Sequence, residues 1–438
     1  MADIQPMKGT RDFYPDQMRV TRWILDAWRR VSLRNGFEEY DAPLMEPLEL
    51  FTIKSGDEIV EQLFSMTDRG GRNLAIKPEI TPSLARMVAA KINSLPRPIK
   101  WFSLPRLCRA ENPQRGRLRE FYQWNIDIIG ADDALADAEC IFVAVDFLRE
   151  VGLGGQDVKI HVGSRPLTTA FLREIGVSQE GLVEKVLPAL DKRPKLTDEA
   201  FRETTAKVGI SEEQHERICR FQDARDVQAV SEQIGSSSAT ADEMWKLAEL
   251  WSQLEAMDIA DYCRLDMRIV RGLAYYTGIV WEMFDAGESL RAVAAGGRYD
   301  NLLELLGGQK IPATGFGMGD VVLELLLREK GKLPDEALQQ QLDVFVMDAT
   351  GDAMGRAVGL VAELRRRGLR ADFSYKRQSL GKQLKEANRR SAAKAVILGD
   401  DQETVAVKDM ASGEQQDGVA IEQFLSDAEA EVKARRRP

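Results

Sequence analysis

Histidine is nearly absent from this chain, with only His161 and His215 among 438 residues, which leaves little room for imidazole bases or imidazole-ligated metals. Cysteine is also scarce. Cys108, Cys140, Cys219 and Cys263 lie far apart with no C-x-x-C, so neither a disulfide framework nor a zinc cluster is expected. No run of about eighteen apolar residues occurs, and the start M-A-D-I-Q-P-M-K-G-T-R-D lacks an apolar signal core. A cytoplasmic location and no membrane partner are the expectation. What is present, 44% hydrophobic and 30% charged residues, is a globular composition in a chain too long for one core, so two or three domains are expected.

The net charge of −10 argues against a surface that binds nucleic acid everywhere, and no DNA partner is expected. The charge is uneven. From Ala353 to Lys394 twelve Lys or Arg stand against three Asp or Glu, and from Lys100 to Arg119 six stand against one. Two basic patches on an acidic body suit a polyanion touched at two places, although either patch alone also reads as a solvated helix face.

The second patch lies in W-F-S-L-P-R-L-C-R-A-E-N-P-Q-R-G-R-L-R-E-F-Y-Q-W-N-I-D-I-I-G, Trp101 to Gly130. It reads as two strands joined by a charged loop, because apolar alternation flanks a centre holding Pro113 and Gly116. In the second strand the period of two puts Tyr122, Trp124, Ile126 and Ile128 on one face, and Gln123, Asn125 and Asp127 on the other. Such a strand suits a pocket floor that reads a small polar molecule; an ordinary amphipathic hairpin has the same pattern. Arg109, Arg115, Arg117 and Arg119 add guanidiniums able to grip phosphate or carboxylate oxygens.

R-A-E-N-P-Q-R-G-R-L-R-E-F-Y-Q resembles motif 2 of class II aminoacyl-tRNA synthetases, in the form carried by histidyl-tRNA synthetases. The rest of the chain supports the resemblance in order. A helix over Met18–Asn35 closed by Gly36 precedes F-E-E-Y-D-A-P-L-M-E-P, similar to motif 1, which implies a homodimer. A hairpin turning at Gly70 and Gly71 leads through P-E-I-T to a helix with Thr81 as expected N-cap and Pro82 in its first turn. Asp133–Val151 reads as a helix and V-K-I-H-V-G-S-R as a strand, with His161 packed. Helices rich in Glu, Lys and Arg then fill 166–258. The stretch R-G-L-A-Y-Y-T-G from Arg271 resembles the signature peculiar to the family, with Ala274 where an aspartate is usual. A-A-G-G-R-Y-D resembles its second signature, in which a Gly-Gly turn lets backbone approach the ligand. P-A-T-G-F-G-M-G-D-V-V-L reads as a glycine-rich strand entering a helix, like motif 3, but Asp320, Val321 and Val322 stand where the ATP-packing arginine is usual.

The resemblance implies an α+β catalytic core built on an antiparallel sheet over 1–165 and 259–330. A helical insertion (166–258), a linker (331–341) and a C-terminal α/β anticodon-binding domain (342–438) complete it. It implies a histidine–tRNA ligase using L-histidine, ATP with Mg2+, and tRNA-His. Arg109 and Arg271 would act at the α-phosphate; Glu79, Ile80, Thr81, Arg109, Gln123, Asp127, Arg271, Tyr275 and Tyr276 would bind histidine. Arg109, Glu111 and Arg117 would hold ATP, Gln114 and Arg115 would meet tRNA, and no resident metal is implied. The alternative is a non-catalytic paralogue, a histidine-sensing regulatory subunit, motivated by Ala274 and the missing arginine.

Overall fold

The computed structural model describes residues 4–52, 63–179, 181–235, 237–270, 276–306, 308–338 and 342–435. The chain divides into two compact units, Met1–Asp12 with Thr21–Leu333, and Phe13–Val20 with Pro334–Pro438. Among the described residues no helix is long and apolar enough to cross a membrane.

The strands of the first unit are β1 Glu38–Glu39, β2 Met45–Pro47, β3 Ser65–Thr67, β4 Asn73–Ile76, β5 Ile99–Ser103 and β6 Arg106–Cys108. They continue with β7 Glu120–Ile129, β8 Val158–Ser164, β9 Cys263–Leu265, β10 Ile279–Asp285, β11 Ala294–Arg298 and β12 Ala313–Gly319. Among the described residues a nine-stranded sheet runs β1-β5-β7-β12-β11-β10-β8-β9, with β6 paired to β7. From β5 to β8 every neighbouring pair is antiparallel, and the parallel pairs β1/β5 and β8/β9 sit at the two edges. Pro105 separates β5 from β6, so the expected first strand of the hairpin is two short ones. Three further strands, β2-β4-β3, form a small sheet.

Helices α1 (Pro15–Arg34), α2 (Thr81–Lys91) and α3 (Ala134–Glu150) belong to this part of the chain. The back of the main sheet is covered by the C-terminal part of α1 and by α3. Trp124 of β7 stacks on Trp28 at 6.0 Å and meets Phe147 edge-on at 5.6 Å, with its indole N–H donating to Ser32 Oγ at 2.9 Å. A buried indole keeps its donor satisfied in this way. Asp133 caps α3 by accepting from Ala136 N. Thr81 is not the cap of α2: it is the first helical residue, and Ile80 precedes it in helical conformation without a side-chain cap. The insertion folds as helices Arg165–Glu174, Leu182–Leu190, Asp198–Lys207, Glu212–Asp223, Val227–Ser231 and Ser238–Ala256. Ser164, Thr197, Ser211, Asp226 and Ser237 are the residues whose side chains cap five of them, which is why they begin where they do.

In the second unit, strands β13 Leu342–Asp348, β14 Ala371–Phe373, β15 Ala392–Leu398, β16 Thr404–Asp409 and β17 Gln415–Ala420 form a mixed sheet in the order β14-β13-β15-β16-β17. The parallel strand β13 is buried throughout because both faces are covered. Val344 and Val346 pack with Leu360, Leu364, Phe424 and Leu425 from helices Met354–Arg366 and Ile421–Arg435, while Phe345 and Met347 pack with Ala387 of helix Leu380–Arg389.

Candidate active site

The front of the main sheet is open because β12 carries glycine at every second position. Gly315, Gly317 and Gly319 stand opposite Asp127, Asn125 and Gln123 of β7. A methyl on Gly315 would lie 2.4 Å from Ile126 O and 2.5 Å from Asp127 Oδ1; one on Gly317 would lie 2.7 Å from Gln123 Nε2. The glycines are thus the space into which the polar side chains of β7 lean.

Asp127 and Glu79 are both buried, 2% and 5% exposed, and the charge of Glu79 acts on Asp127. Burial pushes the Asp127 carboxyl up to about 7; the hydrogen bond from Tyr299 pulls it back and the charge of Glu79 adds to the rise. Tyr299 Oη donates to Asp127 Oδ1, while Oδ2 has no hydrogen-bond partner among the described residues. Tyr40 Oη, Asn125 Oδ1 and Ser103 Oγ are buried in the same condition. Buried polar atoms without partners call for hydrogen bonds from a bound molecule. Tyr276 lies over Gly297, whose added methyl would be 3.1 Å from Tyr276 Cδ1, and its hydroxyl is held above the ordinary tyrosine range by burial and by the charges of Glu79 and Asp127. Ile80 and Thr81 are buried beside Glu79.

Next to this polar floor is a cleft of about 280 Å³ lined by Arg109, Glu111, Arg117, Phe121, Gln123, Arg291, Gly317, Gly319, Val321 and Val322, among others. Arg109 Nε donates to Pro78 O at 2.9 Å, and its guanidinium lies over the Phe121 ring at 5.2 Å. One cation therefore borders the cleft while tied to the residue before Glu79. Arg117 Nε pairs with Glu111 Oε2 at 2.6 Å. The Gln114–Arg117 turn, closed by two backbone hydrogen bonds with Gly116 at φ +76°, brings that pair to the cleft.

Gln123, Asp127, Glu79, Ile80, Thr81 and Tyr276 thus surround one floor, and Arg109, Glu111 and Arg117 line one cleft. Arg271 and Tyr275, with Ala274, lie outside the described residues. Gln114 and Arg115 are not among the residues that line the cleft, and Arg115 pairs with Glu329 at 2.6 Å on the surface. Arg119 does not line the cleft; its Nε donates to Glu111 O at 3.0 Å and so shapes the loop. Gly296 and Gly297 are not a turn but the middle of β11, where a methyl on Gly296 would strike Phe316 Cβ and Gly315 O at 2.7 Å. Asp320 is a buried anchor, pairing with Arg11 Nη2 at 2.7 Å and accepting from Tyr122 N. Arg291 went unread, since it sits in a connection without period; its one signal is an arginine three residues ahead of an Ala-Ala-Gly-Gly strand.

Neither histidine belongs to the site. His161 Nδ1 faces Asp266 Oδ2 at 3.2 Å, and His215 is buried in the insertion against Thr205 at 2.8 Å. Among the described residues no group of three or more His, Cys, Asp or Glu is arranged to hold a metal ion.

Buried carboxylates beside an arginine-lined cleft on one sheet suit the joining of an amino acid to a nucleotide, and with the separate mixed-sheet unit they point to the aminoacyl-tRNA ligases. A histidyl-tRNA synthetase family model matches residues 9–320, and an anticodon binding domain model matches residues 343–431. The chain belongs to the histidyl-tRNA synthetase family. It is 40% identical over 407 residues to histidine–tRNA ligase of Opitutus terrae, covering 92% of each chain. It is 39% identical to the chloroplastic/mitochondrial histidine–tRNA ligase of Arabidopsis thaliana, covering 94% of this chain and 84% of that one. The crystal structure of histidyl-tRNA synthetase from Nostoc sp. PCC 7120 superposes with a TM-score of 0.85 at 25% identity, covering 99% of this chain and 100% of that one.

Proposed function

We propose that this protein is a histidine–tRNA ligase that activates L-histidine with ATP to histidyl-adenylate, releasing pyrophosphate, and then passes the histidyl group to the 3′ end of tRNA-His. The observation that carries the reading is Arg109, which borders the arginine-lined cleft while its Nε holds Pro78 O, next to Glu79. A guanidinium at that joint neutralises charge where a carboxylate approaches an α-phosphate. The nucleophile is already ionised, so no histidine base is needed.

In this reading Glu79 takes the α-ammonium. Asp127 Oδ2 accepts from the imidazole N–H, with Tyr276 bounding the ring and Gln123 and Thr81 completing the hydrogen bonds. Ile80 is the apolar support beneath them. Arg271 joins Arg109 at the α-phosphate and Tyr275 joins Tyr276. Arg117 and Glu111 attend ATP. Mg2+ would come with ATP and would supply charge neutralisation at the triphosphate, where Glu111, the carboxylate among the residues that line the cleft, would be available to hold it through its waters. The C-terminal unit, with the basic stretch Ala353–Lys394, binds the anticodon arm, Gln114 and Arg115 meet the acceptor end, and the enzyme works as a cytoplasmic homodimer of class II type. The regulatory alternative is not favoured, because the relatives at 39% and 40% identity are named ligases. Charging of a tRNA-His transcript with labelled histidine tests the reading: ATP-dependent formation of an alkali-labile histidyl ester is expected, and a folded protein that binds histidine without forming the ester would refute it.

A further inference from the structure

The junction of β12 with helix Asp320–Glu329 is where an arginine would be expected to meet ATP, and it carries Asp320, Val321 and Val322 instead. Asp320 is consumed by its pair with Arg11. Val321 and Val322 line the cleft but are apolar. A guanidinium nevertheless reaches this spot from another element. Arg291, in the connection between β10 and β11, lines the cleft, and its stem lies against the motif 2 turn on the same side as Val322. A methyl built on Gly116 would be 3.3 Å from Val322 Cγ2 and 3.6 Å from Arg291 Cδ.

The side chain is well set for a ligand. Its backbone is fixed by Asp285, whose Oδ2 accepts from Ser289 N at 3.1 Å and Ser289 Oγ at 3.0 Å, and whose Oδ1 accepts from Leu290 N at 2.8 Å, directly before Arg291. Val293 N then donates to Met283 O at 2.7 Å and starts β11. Arg291 itself is exposed at the cleft, and among the described residues it makes no ion pair or hydrogen bond. Its charged neighbours there are Arg117, a like charge, and Glu111, which Arg117 already engages at 2.6 Å. Partial burial and the Arg117 charge both make the guanidinium less comfortable as a cation than it would be in water. Two guanidiniums lining one cleft with a single, already paired carboxylate are stabilised by a polyanion bound there.

Resting on the ligase reading above, we infer that Arg291 is the ATP-gripping cation of this chain, delivered from the β10–β11 connection to contact the triphosphate beside Arg117 in place of an arginine on the helix after β12. The arginine has moved to another element while its ligand has stayed.

The test is histidine-dependent exchange of labelled pyrophosphate into ATP, with ATP and histidine varied separately, for the wild type, R291Q and the double variant R291Q/V322R. R291Q should lose about a hundredfold in kcat/KM for ATP, with KM for histidine within threefold and melting unchanged. Returning a guanidinium from the helix in R291Q/V322R should recover at least tenfold of that loss. An active wild type with R291Q within threefold of it for ATP overturns the inference alone, as does an equal loss for both substrates accompanied by lower melting. A double variant that melts like the wild type but is no better than R291Q also contradicts it. A wild type with no histidine-dependent exchange removes the ligase reading, and the inference with it.

Discussion

Replacing Gly317 by alanine separates the floor of the site from the stability of the sheet that carries it. The new methyl would sit 2.7 Å from Gln123 Nε2, and its three nearest atoms all belong to the Gln123 carboxamide. Ordinary contact begins near 3.4 Å, so the carboxamide must retreat by about 0.7 Å, which a flexible side chain does for ~0.5–1.5 kcal/mol of rotamer strain. If that amide hydrogen-bonds the bound amino acid, the retreat also weakens a bond to a charged group, itself worth about 1.5–3 kcal/mol. A combined effect of about 2 kcal/mol or more predicts a loss of roughly thirtyfold in kcat/KM for histidine, with melting within about 2 °C of wild type. Gly315→Ala is the contrast. Its methyl meets a backbone oxygen, Ile126 O, at 2.4 Å, so the sheet itself must move, and ~1–3 kcal/mol of destabilisation should lower the melting point. Thermal melts and histidine-dependent pyrophosphate exchange on both variants decide the matter. A Gly317→Ala protein with unchanged histidine kinetics would show that Gln123 does not touch the amino acid, and one that melts as early as Gly315→Ala would show that the front of β12 is packed rather than open.

Two further outcomes follow from buried charge. With its carboxyl near 7 against an ordinary value near 4, Asp127 holds a proton in the folded state that the unfolded chain has lost, so stability should fall as pH rises from about 4 to about 7, by up to about 1.4 kcal/mol per pH unit; histidine, by donating to the ionised form, should bind more tightly as pH rises through 7. Asp127→Asn should flatten both profiles relative to wild type, and parallel profiles would refute the assignment. Arg298 is buried in β11 and gives Asp137 Oδ2 two hydrogen bonds, from Nε at 3.0 Å and Nη2 at 2.9 Å, besides bonds to Ala131 O and Asp133 O. Arg298→Met leaves the Asp137 carboxyl buried without its cation and should cost about 3–5 kcal/mol in denaturant unfolding; a loss under 1 kcal/mol would mean the signature arginine is not the anchor described.

Local pattern made part of this legible. The period of two in β7 separates Trp124, Ile126 and Ile128 from Gln123, Asn125 and Asp127, and the sheet keeps that division because one face is packed under α1 and α3. The alternation of strand and helix in the C-terminal unit likewise follows from apolar runs that need cover on both faces. Register is what the local pattern lacks. That Gly315 and Gly317 admit Asp127 and Gln123 depends on a partner strand almost two hundred residues away, and the same non-locality made Gly296 and Gly297 look like a turn when they are strand residues, Gly296 pressed against Phe316 and Trp281 and Gly297 against Tyr276 and Val280. Thr81 has the chemistry of a cap, but the chain enters α2 one residue earlier than a cap requires. Arg291 escaped because nothing in its own neighbourhood marks it; its meaning comes from Gly116 and Val322, which only the folded sheet brings beside it.

In the proposed function one floor selects histidine and one arginine-lined cleft activates it. The most direct measurement is exchange of labelled pyrophosphate into ATP with magnesium, each of the twenty amino acids supplied separately. Exchange with histidine and with no other amino acid is the predicted result. Exchange with none of them, in a folded protein that still binds histidine, would contradict the account and leave a histidine-binding protein without the chemistry.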